Sequence, residues 1–184
     1  KIYNSLLAGI ILGLAFSMRI QSMVYIGGIG LGLIILGRWK EAISTGLGVL
    51  IAAFVFVGSI DIFIWGYPFA EFFEYVHYNM YNYTEYTIGP WYQYIIVSLA
   101  VIIPPVSFFL VYGFFRGFIR DWKKYILIFL PVLLFVIFHS YYPNKQERFI
   151  VPVIPFIIIA GTAGWYEFYE HSSFWKRYRW LYLV

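Results

Sequence analysis

Cysteine is absent from the sequence, and charged side chains make up only 12% of its 184 residues. Without cysteine there is no disulfide framework and no thiolate metal site. Histidine is nearly as scarce: His77, His139 and His171 lie too far apart for an HExxH-type zinc spacing. Neither residue type signals a metal site, and no cofactor is expected. The shortage of charge excludes more. A soluble domain carries roughly 25% charged residues, so too few are present here to cover a surface facing water. The net charge of +4 does not mark a nucleic-acid partner, because the basic residues fall in short clusters between apolar runs. Membrane-protein loops have that pattern, whereas a groove-binding face does not.

What the sequence has in abundance is apolar and aromatic residues, at 62% and 24%. A membrane-spanning helix needs about 20 mostly apolar residues. Six stretches qualify as candidates: Ile2–Met18, Ile20–Leu36, Ala42–Ile60, Tyr94–Phe115, Tyr125–His139 and Phe149–Phe168. Gly27, Gly28, Gly30 and Gly32, with Ser44, Gly46 and Gly48, suit close helix–helix approach in lipid. No repeat of 20–50 residues and no low-complexity linker divides the chain. The expected fold is all-α, a polytopic transmembrane bundle of about six spans forming one domain over residues 1–184. Ile2–Met18 is not a signal peptide, since an equally apolar segment follows and no small-residue cleavage site separates them. With Lys1 in first place and an apolar end at Trp180–Val184, the chain reads as an internal or C-terminal portion of a larger polytopic protein.

Six spans place Lys1, Arg38, Lys40, Arg116, Arg120, Lys123, Lys124, Lys176, Arg177 and Arg179 on one side. Arg19, Lys145 and Arg148 fall on the other, which accounts for all 13 basic residues. The richer side is cytoplasmic by the positive-inside rule. Asp61, Glu71, Glu74, Glu85 and Glu147 then lie outside. Arg19, Asp61, the long loop to Trp91, His139 and the Asn144–Arg148 cluster all emerge on one non-cytoplasmic face. Transporters distribute charge through their spans to line a path; gathering at one surface fits a site that acts there.

The loop from Asp61 to Tyr94 is acidic and dense in Tyr, Trp and Phe. An interfacial aromatic belt explains most of those rings. Apolar residues at Phe69, Phe72, Phe73 and Val76 have helical spacing, which predicts a re-entrant or interfacial helix presenting His77 and Asn79. Aromatic faces beside carboxylates and amides suit carbohydrate, because a pyranose offers both C–H faces and hydroxyls. Asn82-Tyr83-Thr84 matches the N-glycosylation sequon. The cluster in HSYYPNKQERFIVPVIPF (139–156) carries Lys145 and Arg148 three residues apart beside a span. They are either snorkelling cations or a phosphate clamp in which Arg supplies a planar fork and Lys a point charge. Pro152 and Pro155 should bend the top of the next helix. His139 reads more simply as a helix-end histidine than as a catalyst. Arg19, followed by Gln21, is a lone charge in an apolar tract, where a functional role is the default.

NKQERFIVPVIP (144–155) resembles the His-Lys-Glu-x-Arg-Phe-x-x-Pro-x-x-Pro signature of the GT-C-type alpha-mannosyltransferases of GPI-anchor and lipid-linked oligosaccharide assembly. Lys145, Arg148, Phe149, Pro152 and Pro155 match in register, while Asn144 and Gln146 stand where the family carries His and Glu. Asp61, Trp65-Gly66, Asn79 and Pro90-Trp91-x-x-Tyr94 resemble the same family's Asp…Tyr-Gly…Asn…Pro-Trp-x-x-Tyr loop, and Arg19 resembles an arginine ending an earlier outer helix. The resemblance implies inverting sugar transfer, without metal, from a polyprenyl- or dolichyl-phosphate sugar to a glycan or lipid acceptor on the non-cytoplasmic face. It places the donor phosphate on Lys145 and Arg148. Substrate contacts would fall to Arg19, Gln21, Asp61, His77, Asn79, Trp91, His139 and Glu147. The family's general base is a carboxylate in the first outer loop. Glu41 is the only acidic residue before Asp61 and lies on the cytoplasmic side, so the implied base is upstream of Lys1. Expected partners are the lipid-linked donor, the acceptor and membrane lipids. The expected location is a bacterial or archaeal plasma membrane, or the endoplasmic reticulum. Two other classes fit the apolar chain: a transporter or flippase of lipid-linked sugars, which would bury ionisable residues mid-span, and a non-catalytic membrane scaffold.

Overall fold

The computed structural model describes residues 2–82 and 87–178, apart from the side chains of Trp175 and Lys176. Tyr83 and Thr84 of the sequon, Glu85, Lys1 and Arg179 lie outside the described residues. The fold is all-α, a polytopic membrane helix bundle with no strand among the described residues. It divides into two compact units, Lys1–Tyr86 and Thr87–Val184.

In the first unit, α1 (Ile2–Met18) and α2 (Ser22–Ile35) are joined by a tight turn at Arg19–Gln21. Gly37, at φ 70°, turns the chain into α3 (Trp39–Ala53). A π-helical turn over Phe54–Gly58 carries α3 on into α4 (Ser59–Trp65). Helices α1 and α3 run parallel and are the most extensively packed pair of this unit: Ser44 donates to the Ile2 carbonyl at 2.9 Å, and Gly9 and Gly13 meet Thr45 and Val49. A Cβ on Gly9 would run into the Thr45 carbonyl, and one on Gly48 into that of Leu6. The approach therefore depends on glycine. Of the glycines expected to serve such contacts, Gly48 does, whereas Gly27, Gly30 and Gly46 have open space where a Cβ would be. Helix α5 (Ala70–Tyr81) follows a turn with Gly66 and Phe69 both at positive φ, 83° and 59°.

In the second unit, α6 (Gln93–Val101) and α7 (Val106–Arg120) replace the single expected span Tyr94–Phe115; they are bent by 115°. The cause is Pro104-Pro105. Neither proline offers an N–H, and each disfavours the α conformation in the residue before it; Ile103 sits at φ 65°. Asp121 caps α8 (Trp122–Tyr141) by accepting from the Lys124 N–H at 3.3 Å. Two 3₁₀ turns, Glu147–Phe149 and Val151–Val153, lead into α9 (Ile154–Glu170), and α10 (Ser173–Arg177) follows. Pro152 and Pro155 are the second residues of Val151–Val153 and of α9, within the first turn of each. A missing N–H has no helical partner to lose there, so they shape an entry rather than kink a helix.

Helices α7 and α9 also run parallel through glycine. A Cβ on Gly113 would strike the Gly161 carbonyl, one on Gly161 that of Leu110, and one on Gly164 that of Gly113. Helix α8 returns antiparallel, setting Tyr125 against Gly117 and stacking Phe129 on Phe118 at 3.9 Å. Lys124 pairs with Glu167 at 2.5 Å and Arg120 donates to the Glu167 carbonyl, so 120–124 and 167–171 share one end of this unit.

Among the described residues, three helical stretches are by length and composition long and apolar enough to cross a membrane: Trp39–Trp65, Trp122–Tyr141 and Glu147–Glu170. The bent pair α6–α7 would make a fourth. At 17 and 14 residues, α1 and α2 are shorter than the roughly 20 residues a straight crossing requires.

Candidate functional site

At the end of the second unit opposite Arg120 and Lys124, the chain from Thr87 to Tyr94 meets the stretch from His139 to Phe149. An antiparallel bridge pairs Ile88 with Asn144, and the Lys145 N–H donates to the Thr87 carbonyl at 2.8 Å. Tyr94 is fully buried. Its hydroxyl accepts from the Gln146 N–H at 3.1 Å and donates to the Gln146 carbonyl at 3.2 Å. One phenol thereby satisfies both backbone groups of a loop residue that no helix or strand could pair.

Lys145 departs from its expected role. Only 3% exposed, its ammonium turns back to the C-terminus of α8 and donates to the carbonyls of His139, Ser140 and Tyr142 at 2.6, 2.6 and 2.5 Å. These are orphan acceptors of a helix end, where the dipole is negative. The ammonium also lies 5.3 Å from the Tyr94 ring centroid. Three donors meet three acceptors, which leaves no N–H for a phosphate oxygen. Burial pushes the lysine pKa below its ordinary value, while the three carbonyls favour the charged form. Lys145 is thus the cap that fixes where the loop leaves the helix, and it is not placed as half of a phosphate clamp.

His139 is likewise a core residue. It is 3% exposed, its Nδ1–H donates to the Phe135 carbonyl at 2.9 Å, and its ring stacks on Phe135 at 4.0 Å with Tyr94, Phe138 and Phe149 around it. A substrate could not reach it without opening that aromatic cage. Glu147 and Arg148 stay exposed on the 3₁₀ turn, with the guanidinium 5.8 Å from the Phe149 ring centroid. Beside this loop is a cleft of about 460 Å³ whose lining includes Gly89, Trp91, Ser140, Tyr141 and the Lys145 stem. Gly89 leaves room there: a Cβ would displace the Gln93 side chain and come within 2.9 Å of Lys145 Cγ.

In the first unit, Arg19 and Gln21 line a cavity of about 300 Å³ together with Glu71, Phe72 and Tyr75. Gln21 Nε2 donates to the Tyr75 hydroxyl at 2.7 Å. Asp61, expected to touch substrate, is 2% exposed and accepts from the Glu71 N–H at 3.1 Å, which caps the start of α5. An acceptor at a helix N-terminus satisfies an orphan donor and opposes the dipole. His77 is exposed with its ring 4.7 Å from that of Tyr81, and Asn79 donates back to the Tyr75 carbonyl at 2.7 Å. Tyr94, Glu71 and Tyr75 were not among the expected site residues. Tyr94 closes the Pro-Trp-x-x-Tyr run and could have been found from it; nothing in the sequence marks Glu71 or Tyr75 above their acidic and aromatic neighbours. Among the described residues no group of three or more His, Asp or Glu is placed to hold a metal ion.

Comparison with known proteins agrees with the motifs. The profile of the Alg9-like mannosyltransferase family matches residues 2–184. The chain is 27% identical over 143 residues to GPI mannosyltransferase 3 of Kluyveromyces lactis, an overlap covering 72% of this chain and 24% of that protein. It is 28% identical to Alpha-1,2-mannosyltransferase ALG9 of Mus musculus over 140 residues, 69% of the chain and 23% of the relative. The Homo sapiens protein of the same name is 28% identical over 170 residues, 85% and 27%. The chain thus spans about a quarter of the length of the curated relatives it matches. No solved structure matches. With a profile match across almost its whole length, the chain belongs to the Alg9-like mannosyltransferase family.

Proposed function

We propose that the intact protein transfers mannose from a polyprenyl- or dolichyl-phosphate donor to a hydroxyl of a glycan or lipid acceptor, on the non-cytoplasmic face of the membrane. The acceptor oxygen attacks C1 of the sugar as a base takes its proton. The C1–O bond to phosphate breaks, and its electron pair leaves on the lipid phosphate. Inversion at C1 follows from a single displacement. What this step needs from the protein is a base and positive charge where the phosphate's charge grows.

The observation that carries the proposal is the division of labour between the two cations of the loop. Lys145 is buried and caps the end of α8, whereas Arg148, on the 3₁₀ turn Glu147–Phe149, is exposed at the surface. Arg148 is the phosphate-binding cation of this loop, with a planar fork suited to two oxygens. Trp91 and the cleft beside it would receive the donor's sugar or first isoprenes. Membranes carrying the intact protein, supplied with mannose-labelled polyprenyl phosphate or with GDP-mannose, test the donor class. Label should pass to a glycan or lipid acceptor from the lipid phosphate alone. Transfer from GDP-mannose in the absence of any lipid-phosphate mannose would overturn the proposal.

A further inference from the structure

A second recess in the first unit has the opposite chemistry to a phosphate site. It encloses about 480 Å³ along one face of α5, and Trp65, Tyr67, Glu71, Glu74, Tyr75 and Tyr78 line it. The volume falls in the range of roughly 300–1,000 Å³ usual for small-molecule sites. Glu71, Glu74, Tyr75 and Tyr78 recur at spacings of three and four, so they stand on one stripe of the helix. Trp65 and Tyr67 come from the turn before it. All four rings remain substantially exposed. The lining contains two carboxylates and no lysine or arginine, so it offers no positive charge to an anionic ligand.

The rim is held in shape by an unusual backbone. Gly66 and Phe69 both take left-handed φ, and for phenylalanine that conformation is strained. Phe69 is kept there by its ring, which lies 6.4 Å from that of Phe54 and would meet a Cβ on Gly58 at 3.4 Å. The Asp61 cap then fixes the first turn of α5. Backbone strain of this kind collects where a binding surface must be preformed.

We propose that this recess binds the neutral sugar rings of the acceptor glycan. Axial and ring C–H groups of a pyranose lie against the indole and phenol faces. Its hydroxyls donate to Glu71 and Glu74 and exchange hydrogen bonds with the tyrosine hydroxyls. The inference rests on the transfer reaction proposed above and adds where that reaction's second substrate is held.

The test uses the intact protein in nanodiscs, with an α-linked mannobiose as neutral probe and mannose 6-phosphate as charged probe. Binding is followed by saturation-transfer NMR and titration. Mannobiose should bind; Tyr78→Ala and the isosteric Glu74→Gln should each weaken it about tenfold. Met80→Ala, on the same helix outside the recess, should leave it unchanged. The part of mannose 6-phosphate binding that the recess variants weaken should be smaller than that of mannobiose. No mannobiose binding, mannobiose binding in both recess variants equal to wild type, or a variant-sensitive site that prefers the phosphorylated sugar would each overturn the proposal. Acceptor KM separates it from the transfer proposal. Normal transfer with acceptor KM unmoved in both variants sinks the recess alone. Mannobiose bound in the recess without any transfer from lipid phosphate leaves the recess standing and removes the reaction.

Discussion

Replacing Lys145 with methionine distinguishes a helix cap from a phosphate clamp. Methionine keeps much of the buried stem but removes the ammonium that serves the carbonyls of His139, Ser140 and Tyr142. A hydrogen bond to a charged group contributes about 1.5–3 kcal/mol, and three sharing one ammonium do not add fully. Against them stands the desolvation of a buried cation, itself several kcal/mol. The net loss should be on the order of 2–4 kcal/mol. Lys145→Met should therefore melt at a lower temperature than wild type. The assay is thermal unfolding of the intact protein in detergent, read beside the KM for the lipid-phosphate donor. A cap predicts lower stability and faster amide exchange over 139–149. Unchanged stability with a raised donor KM would refute this account and restore Lys145 as a phosphate ligand.

Other sites make sharper local tests. Tyr94→Phe removes the hydroxyl that both donates to and accepts from the Gln146 backbone; a loss of about 1–3 kcal/mol should appear as faster exchange across 144–149, and unchanged exchange would contradict the tether. Asp61→Ala uncaps α5 and should lower its stability by about 0.5–2 kcal/mol, read as deprotection of the amides at the start of α5. Gly113→Ala drives a Cβ into the Gly161 carbonyl and should lower the yield of folded protein on size exclusion. Gly27→Ala, with open space at that position, should be neutral or stabilising by up to about 1 kcal/mol.

Helix positions were largely legible because apolar length is a strong signal: Ile2–Met18 coincides with α1, and α5 appears where the spacing of Phe69, Phe72, Phe73 and Val76 places it. The break between α6 and α7 was also written in the sequence, as Pro104-Pro105 inside an apolar run, but hydropathy over a window passes across it. Which glycines meet a neighbour was not legible. Gly27 and Gly113 look alike until helix pairing sets Gly113 against Gly161. The site divides the same way. Residue type pointed to Lys145, Asp61 and His139, but their partners are backbone groups and ring faces, which no side-chain motif records. Arg148 and Trp91 stayed exposed, as a surface site requires.

In the proposed reaction Arg148 neutralises the departing lipid phosphate. The single-turnover rate of mannose transfer from polyprenyl-phosphate mannose by the intact protein, wild type against Arg148→Ala, tests this role. Loss of one such charge should remove about 2–4 kcal/mol of transition-state stabilisation, a fall of roughly 30- to 1,000-fold, with thermal stability unchanged. A rate within about threefold of wild type would contradict the account.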